Sequence, residues 1–586
     1  MEFSDYINKS KDVKKIEGNP GIRIALLSNF TINGLDDILK VISYENGINA
    51  EVYLAPYNQY MQEILNPKSR LYSFDPDIVF ILLDIESFMG HFLFFPYRLD
   101  AGGRKKFINE KFEEIKNMLK KLVENMNAKI VFNNFQLPYY SGRGIIENKQ
   151  EFGLRQSIRT LNNLLESFAL DSSQIFIFDL DVFFTQFGHE NLTDPKMNYL
   201  ADLKLSHKGL IEIAHAYSNY LFPLAGKSKK CLVLDLDNTL WGGIIGEDGI
   251  AGIRLGPEND GRPFYEFQKR ILELHERGII LAINSSNNYD DALEVIRKHP
   301  YMVLKEDHFA SIRINWQDKV SNLREIANEL NIGLDSMVFM DDDKVNCALV
   351  EEKLSEVMVV CLPKDHSLFP QTIEKLKEFN LFSITKEDIK RAESYIHQKK
   401  REQLRSSVTD LDSFIKELDI KVAVMPATKI NIPRIAQLTQ KTNQFNLTTK
   451  RYQEEDIQKL AASNDHLVSC ISVSDKFGEY GATGVVILKK LKELWDMDSF
   501  LLSCRILGRR IEFSLMEYII KKAKKEGIKV LNASFIPTGK NKPAEKFLLE
   551  CGFKLKSGGG NAQEYFLDIE SYKTKELLVK VDEWKL

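Results

Sequence analysis

CLVLDLDNTLWGGIIGEDG, residues 231–249, is the stretch that decides the fold. It begins with a short apolar run, Cys231–Leu234, which is typical of a buried strand in a parallel sheet. Asp235 and Asp237 follow directly, and the Gly-Gly pair after them indicates a tight turn. Because open α/β sheets bind ligands at the carboxyl ends of their strands, the pattern predicts two carboxylates at a binding edge.

Two carboxylates this close repel each other unless a cation or a shared proton lies between them. Mg²⁺ suits oxygen ligands and brings phosphate with it. One carboxylate could then attack phosphorus and form an aspartyl-phosphate, while the other gives a proton to the leaving group and later takes one from water. The alternative is a solvated loop with two acids, which the apolar strand, Thr239 and the glycines disfavour.

The string DLDNTLWGG, residues 235–243, resembles the first motif of the haloacid dehalogenase (HAD) superfamily, and GIIGEDG and GIRLG after it resemble the FkbH-like branch. The resemblance covers nearly the whole chain. It implies that a three-carbon acyl group is taken from an acyl phosphate, that phosphate is removed, and that a glyceryl unit is loaded on an acyl carrier protein. Asp235 is then the nucleophile and Asp237 the general acid/base.

Composition narrows the class of protein. The 586 residues suggest three or four domains, and the net charge of −4 gives no reason to expect nucleic acid or an anionic membrane surface as a partner. No apolar run is long enough to cross a bilayer, and the polar N-terminus lacks a signal-peptide core. The six cysteines are scattered without a CxxC pair, so we expect a reduced cytoplasmic enzyme.

Residues 1–225 alternate strands with helices, which predicts a doubly wound parallel sheet. Ser28, Asn133 and His207 fall at strand ends or before a helix, in a layout that resembles the SGNH-hydrolase fold, where a Ser and a late His perform acyl chemistry. The Gly-Asp usual before that Ser and the Asp usual three residues before that His are absent. Since a serine nucleophile needs a base within reach, we favour a non-catalytic domain that docks a partner or shapes the central site.

Residues 226–378 carry the other motifs of the HAD resemblance. Ser285 ends a predicted strand and matches the second motif, whose hydroxyl holds a phosphoryl oxygen; capping the next helix is its alternative role. Lys319 lies in the first turn of a predicted helix and matches the third motif, a lysine that neutralises the phosphoryl group. A cation there opposes the helix dipole, which favours function over a solvated lysine. Thr239 is expected to hold phosphoryl oxygens with them.

The fourth motif is SMVFMDDDKVN, residues 336–346, an apolar strand that ends in three acids. The resemblance makes Asp342 the direct metal ligand and Asp341 the supporting one, with Asp235 and Asp237 completing the Mg²⁺ site. Without a metal, adjacent carboxylates at a strand end would repel one another.

Two residues depart from the family pattern, and no large cap domain fits. Ser286 stands where Lys is usual, so a positive charge is missing there and Lys319 becomes more important. Asn346 stands where an acid is usual, and we expect this change to retune the metal site. The segments after the first motif and after Ser285 are short. An open site suits a macromolecular substrate such as a carrier protein better than a small metabolite alone.

The last part of the chain is predicted to be a helical connector, residues 379–410, and a second α/β domain, residues 411–586. RILGRR between a strand and a helix, followed by NKPAEKFLLECGF, resembles the GNAT acyltransferase fold, in which such a loop grips the pyrophosphate of coenzyme A. Residues Arg505, Gly508, Arg509 and Asn541 are the candidates for binding CoA or the phosphopantetheine arm of a carrier. Arg510 stands where a Gly is usual. We favour a carrier-docking domain over an independent acetyltransferase.

Two cysteines are candidate acyl acceptors. Cys504 lies beside Arg505, which could depress the pKa of the thiol, and it is the better candidate. Cys231 begins the motif strand. A structural role, as a small apolar side chain, remains open for both.

The sequence therefore predicts an α/β enzyme of three domains: an SGNH-like sheet, a HAD-type sheet without a large cap, and a GNAT-like domain. Its expected activity is Mg²⁺-dependent dephosphorylation of a phosphorylated three-carbon acyl substrate and transfer of the glyceryl-type unit to an acyl carrier protein. Two alternatives stay open: a small-metabolite phosphatase fused to a CoA-dependent acetyltransferase, and a non-enzymatic scaffold whose sites have decayed.

Overall fold

The computed structural model describes residues 1–16, 21–384, 410–558, 562–574 and 578–583. These residues form two compact units, Met1–Ala225 and Gly226–Leu586, which contain three β-sheets. The predicted α/β class is confirmed. The residues at 385–409, where most of the helical connector is predicted, lie outside the described residues. Within the described ranges, no helix is both long and apolar enough to cross a membrane.

The first unit holds a parallel sheet of five strands in the order β2-β1-β3-β4-β5. The strands are β1 Ile22–Ser28, β2 Ala50–Leu54, β3 Ile78–Leu82, β4 Lys129–Asn133 and β5 Ile175–Phe178. Strands β3 and β4 are buried at every position, as expected for the centre of a sheet covered on both faces.

Helices connect these strands, and side-chain caps fix where several of them begin. Asp100 caps the longest helix by accepting from the Gly103 N–H at 2.7 Å, and Ser206 caps the last long one through Gly209. The helices of this unit are Phe3–Ser10, Leu35–Glu45, Tyr60–Leu65, Arg70–Phe74, Ile85–Met89, His91–Phe94, Ala101–Asn125, Leu154–Leu170, Leu180–Phe187, His189–Leu192, Pro195–Ala201, His207–Ser218 and Leu221–Leu224.

The second unit begins with another parallel sheet of five strands, in the order β10-β9-β6-β7-β8. The strands are β6 Cys231–Leu234, β7 Ile280–Ser285, β8 Phe309–Ile314, β9 Met337–Asp341 and β10 Met358–Cys361. The helices around it are Ile245–Gly252, Arg262–Glu276, Tyr289–Lys298, Lys319–Glu329, Lys344–Lys353 and Phe369–Glu374. Strands β6, β7 and β9 are wholly buried, so their polar residues are confined to the strand ends.

The third sheet has nine strands and is mostly antiparallel. Its strands are β11 Lys421–Pro426, β12 Phe445–Asn446, β13 His466–Asp475, β14 Gly478–Leu491, β15 Leu494–Leu502, β16 Val530–Phe535, β17 Lys554–Gly558, β18 Gln563–Asp568 and β19 Lys580–Glu583. Its helices are Leu411–Leu418, Ile432–Lys441, Glu454–Ala462, Ile511–Lys525 and Phe547–Glu550. The boundaries of the three predicted domains remain predictions.

Candidate active site

Three carboxylates meet at the carboxyl edge of the second sheet. Asp235 follows β6, while Asp341 and Asp342 end and follow the neighbouring strand β9. One oxygen from each lies within 4.8 Å of the other two. Asp341 is fully buried and Asp235 is 8% exposed. The strand pairing therefore holds like charges together where water screens them poorly.

This crowding changes the acidity of the cluster. Burial, followed by the charge of Asp235, raises the pKa of Asp341 to about 6 and that of Asp342 to about 7. Above those values the three groups repel one another unless a cation lies among them. A donor set made only of carboxylate oxygens fits a hard divalent cation such as Mg²⁺.

Lys319 brings one positive charge to the cluster. It opens the helix Lys319–Glu329 and is 3% exposed, and its ammonium donates to Oδ1 of Asp235 at 2.5 Å and to the carbonyl of Asn284 at 2.7 Å. Oδ2 of Asp341 lies 3.3 Å away. Burial acts to lower the pKa of Lys319, but the charges of Asp235 and Asp341 raise it overall, so the group stays charged.

Asp237 is held apart from the group of three. Its Oδ1 accepts from the Trp241 indole N–H at 2.8 Å and from the Ile245 backbone N–H at 3.1 Å, and its Oδ2 accepts from the Asn287 amide at 2.9 Å. Burial raises the pKa of Asp237 although these donors act in the opposite direction. The structure thus does not bring its carboxylate into the cluster, as a direct ligand would require, but gives it the environment of a proton donor.

The turn after Asp237 depends on two residues with positive φ. Asn238 has a φ of 52° and its side chain accepts from the Gly243 N–H at 2.9 Å; Gly243 itself has a φ of 104°. A Cβ at Gly243 would collide with the carboxylate of Asp248, which accepts from the Ile244 N–H at 2.8 Å. The Gly-Gly pair is therefore required by the tight return of the chain beside Asp237.

The other predicted phosphoryl-binding residues lie at the same edge. The Thr239 hydroxyl donates to Oδ1 of Asp342 at 3.4 Å, and the buried Ser285 hydroxyl accepts from the Asn287 amide at 3.3 Å. Of the two departures, Ser286 is exposed, whereas the Asn346 amide donates to Oδ2 of Asp341 at 3.2 Å. A neutral amide there avoids a further negative charge in the cluster.

Sequence reasoning missed the residues that position this site. Asn287 links Asp237 to Ser285, and Trp241 holds the other oxygen of Asp237. The side-chain N–H of Asn284 donates to the backbone carbonyl of Lys319 at 3.0 Å, and its side-chain oxygen accepts from the Asn322 amide at 3.0 Å. These two bonds anchor the helix Lys319–Glu329 to β7. The run SNN, residues 286–288, directly after β7 was the available signal for Asn287.

Cys504 lies at the opposite edge of the sheet. It lines a small cavity with residues that precede or begin strands β6, β7 and β9: Lys230, Ile280 and Ser336. Its carbonyl accepts from the Asn331 amide. Lys230 and Asp235 are five positions apart in an extended strand, which corresponds to a distance of about 16 Å. The structure therefore does not bring Cys504 to the carboxylate cluster.

Cys231 is fully buried at the start of β6 and packs in the hydrophobic core. Burial raises the pKa of its thiol, which keeps the thiol protonated. This environment fits the structural role rather than that of an acyl acceptor.

The predicted CoA or phosphopantetheine loop is largely engaged within the protein. Arg509 is buried and donates to the Tyr480 hydroxyl, and Arg510, with a φ of 58°, pairs with Asp412 at 3.0 Å. Asn541 donates to the carbonyls of Asn446 and Ile536 at 3.0 and 2.9 Å.

The rest of this loop shows the turn that its sequence predicts. Gly508 has a φ of 75° and Arg505 lies in a short turn after β15. Strands β15 and β16 pair over only four residues each, and β12 pairs with the last two residues of β15, Leu501 and Leu502. Leu447, directly after β12, accepts from the Ile536 N–H at 2.8 Å, so the chain itself fills the gap between the two strands.

The three SGNH-like residues of the first unit have separate roles. The Ser28 hydroxyl accepts from the Phe30 N–H at 3.1 Å, and Asn133 accepts from the Leu83 N–H at 2.7 Å and donates to its carbonyl at 2.9 Å. The ring of His207 stacks on Phe3 with centroids 4.0 Å apart. These contacts do not assemble a nucleophile with its base.

Comparisons with known proteins found a matching family and a similar solved structure that covers more than half of this chain. Residues 23–219 match the family described as FkbH, N-terminal domain. The N-terminal part of the protein BF1531 from Bacteroides fragilis, whose crystal structure contains a phosphatase domain complexed with Mg, is 28% identical with a TM-score of 0.59; the match covers 65% of this chain and 100% of that one. These two findings confirm the predicted resemblance to FkbH-like proteins of the HAD class.

Weaker likenesses were found among smaller structures. A domain from Methanocaldococcus jannaschii is 16% identical, with a TM-score of 0.22 and coverage of 26% of this chain and 99% of that one. The ribosomal-protein-S18-alanine N-acetyltransferase from Escherichia coli is 13% identical, with a TM-score of 0.21 and coverage of 27% and 98%. Curated protein sequences gave no match.

Proposed function

We propose that this protein is a Mg²⁺-dependent phosphatase and acyl transferase of the HAD type. It removes phosphate from a phosphorylated three-carbon acyl substrate and passes the glyceryl-type unit to the phosphopantetheine thiol of an acyl carrier protein. The observation that carries the proposal is the group of Asp235, Asp341 and Asp342. The ammonium of Lys319 lies beside Asp235 and Asp341, and the carboxyl of Asp237 is held separately.

The residues have distinct roles in the proposed reaction. Asp235 attacks the phosphorus of a phosphate ester on the three-carbon unit and forms an aspartyl-phosphate, while Asp237 protonates the leaving alcohol oxygen and later accepts a proton from the water that hydrolyses the aspartyl-phosphate. The carrier thiol attacks the acyl carbon of the acyl phosphate on the same unit, and that phosphate leaves as inorganic phosphate. Lys319 neutralises charge on the phosphoryl oxygens, and Thr239 and Ser285 hydrogen bond to them.

Asp235, Asp341 and Asp342 would hold Mg²⁺. When bound, the ion supplies the positive charge that these carboxylates lack and neutralises phosphoryl oxygens. Asp341 is fully buried and accepts from the Asp343 N–H at 2.8 Å and from Asn346, so it is oriented before any ligand arrives.

Access to the site favours a large substrate. The chain from Asp235 to the helix Arg262–Glu276 contains one short helix, and the helix Tyr289–Lys298 starts four residues after Ser285. Neither segment has room for a cap domain, which fits a substrate presented on a carrier protein. We propose the carrier thiol as the acyl acceptor rather than Cys504, because Cys504 lies at the other edge of the sheet.

The proposal is tested with the purified protein, Mg²⁺ and a three-carbon acyl phosphate that also carries a phosphate ester, in reactions with and without carrier protein. Phosphate release and a carrier mass increase that both depend on the protein support it. Release without carrier, and no carrier adduct, would favour a small-metabolite phosphatase; absence of release under both conditions would favour a scaffold.

A pair of matched variants tests the nucleophile. Asp235→Asn should abolish phosphate release, and retained activity would refute the assignment. Asp343→Asn is the control. Asp343 follows Asp341 and Asp342 in the chain, but its side chain caps the helix Lys344–Lys353 by accepting from the Val345 N–H at 3.0 Å. Asparagine can form the same cap, so this variant should keep its activity.

A further inference from the structure

A separate cavity opens at the carboxyl edge of the sheet in the first unit. Its volume is about 320 Å³, which is the size of a small-molecule site. It is lined by residues that follow β1, β3, β4 and β5, and the strand order reverses between β1 and β3. A crevice at such a reversal is where doubly wound sheets bind ligands.

The walls of the cavity are rich in aromatic side chains. Phe30, Phe135 and Phe184 are buried in its walls, whereas Tyr139 and Tyr199 also line it but are 93% and 90% exposed. Two large aromatic rings that line a cavity yet stand in solvent are positioned to cover a ligand, and aromatic faces attract cations.

The charged groups of the cavity carry an excess of acid. Lys204 is the lysine among the lining residues, and its ammonium lies 3.8 Å from Asp84 and 3.5 Å from Glu86, both of which also line the cavity. Asp202 lies 3.3 Å from the same ammonium, so three carboxylates share one positive charge. Asp194 adds another acid to the lining.

The pKa values of Asp84 and Lys204 reflect both burial and the charges around them. Burial raises the pKa of Asp84 although the Ser87 hydrogen bonds and Lys204 act to lower it. Burial acts to lower the pKa of Lys204, but Asp84 and the other carboxylates raise it overall. An anionic ligand would meet unfavourable charge here, whereas a cation would offset it.

The SGNH-like residues do not line this cavity; Ser28, Asn133 and His207 make the separate contacts described above. Among the residues that the structure describes, no serine lines the cavity, and His189 is the histidine in its lining, so the cavity lacks the serine nucleophile that hydrolysis would use and is suited to binding.

From the cavity, its aromatic walls and its acidic excess we propose that the first unit binds a small organic cation, an amine or quaternary ammonium with an apolar body. The apolar body packs among the phenylalanines, and the charged nitrogen lies between the carboxylates and the exposed tyrosines. This site is independent of the phosphatase reaction proposed above.

Calorimetric titration of the full-length protein tests the site with probes of one shape and different charge: phenethylammonium, 2-phenylethanol and 3-phenylpropionate, with benzyltrimethylammonium as a second cation. Saturable binding of either cation, and weaker or absent binding of the alcohol and the carboxylate, supports the proposal. Equal or tighter binding of the alcohol or the carboxylate, or no saturation by either cation at millimolar concentration, overturns it.

Exposed positions provide variants that keep the fold. Tyr199→Ala should weaken cation binding by about 2- to 5-fold, the size of a partly exposed cation–π contact. Glu86→Gln should weaken it by up to about 5-fold, the size of an exposed ion pair. Tyr140→Ala and Glu190→Gln are matched controls, because both residues are exposed near the cavity without lining it. Binding that is unchanged in the first pair, or equally weakened in the second, would place the cation elsewhere.

Discussion

The variant Asp341→Asn tests two properties of the carboxylate cluster separately: how much its charge destabilises the metal-free protein, and how much it contributes to binding Mg²⁺. Asp341 is fully buried, and its pKa is about 6 in the folded protein against an ordinary 3.8. The difference is about two pH units, and each is worth about 1.4 kcal/mol. Ionisation of Asp341 therefore lowers the free energy of unfolding by about 3 kcal/mol in the absence of metal.

The sign follows from proton binding. Because the folded-state pKa lies above that of the unfolded chain, the folded protein holds this proton more tightly, and wild type loses the associated stability as the pH rises from about 4 through about 6. In EDTA at pH 8, Asp341→Asn should be more stable than wild type by up to about 3 kcal/mol. At pH 4 the difference should fall below about 1 kcal/mol, since the carboxyl is then protonated in the folded protein and only about half ionised in the unfolded chain.

Magnesium should reverse this order. A ligand that binds only the folded state adds about 4.1 kcal/mol at a concentration of about 1,000 times its Kd, which exceeds the advantage of the variant in EDTA. The variant gains less, because its neutral amide replaces one anionic donor of the cluster. Thermal unfolding of wild type and variant in EDTA and in Mg²⁺, each at pH 4 and pH 8, measures their difference in stability under all four conditions. Asp343→Asn is the control and should behave as wild type. If Asp341→Asn were less stable than wild type in EDTA at pH 8, or gained as much from Mg²⁺, the metal-site reasoning would be refuted.

Three further predictions concern the same site. Lys319→Met should lower phosphate release by about 100-fold or more, since it removes the ammonium beside Asp235, while Mg²⁺ still raises the Tm; unchanged turnover would contradict the role. Asn287→Ala removes a donor that favours ionised Asp237, so the alkaline limb of the pH–rate profile should move to higher pH, and a shift to lower pH would count against Asp237 as the acid. Gly243→Ala, at a φ of 104°, should cost more than about 1 kcal/mol by urea unfolding; a neutral result would show that the turn adapts.

Much of the fold was predictable because buried parallel strands leave a strong apolar signal. The strand predicted at residues 231–234 has those bounds in the structure, as β6. Strands β2 and β8 were not predicted: both have several partly exposed positions and lack a continuous apolar run. Edge strands of this kind are decided by their neighbours in the sheet rather than by local pattern.

The positions of the site residues were predictable from the sequence, but the orientations of their side chains were not. The motif positions follow from the strand ends, and the structure gathers Asp235, Asp341 and Asp342 with Lys319 there. Which oxygens face the cluster depends on side-chain hydrogen bonds that no spacing rule encodes. Asp237 lies only two positions after Asp235 in the chain. Its side chain is nevertheless oriented by Trp241 and Asn287, which lie on two different loops.

The position of Cys504 constrains how an acyl group can travel. In a parallel sheet all carboxyl ends lie along one edge, so residues at the amino ends are removed from the chemistry by the full length of the strands. The Asp235 cluster occupies one edge, and the cavity that holds Cys504 is lined by residues at the other. Direct transfer between them would have to cross a core in which β6, β7 and β9 are wholly buried. An acceptor that approaches the open carboxyl edge from outside, on a long arm, meets no such barrier, which is why the carrier thiol fits the geometry better than a thiol of this chain.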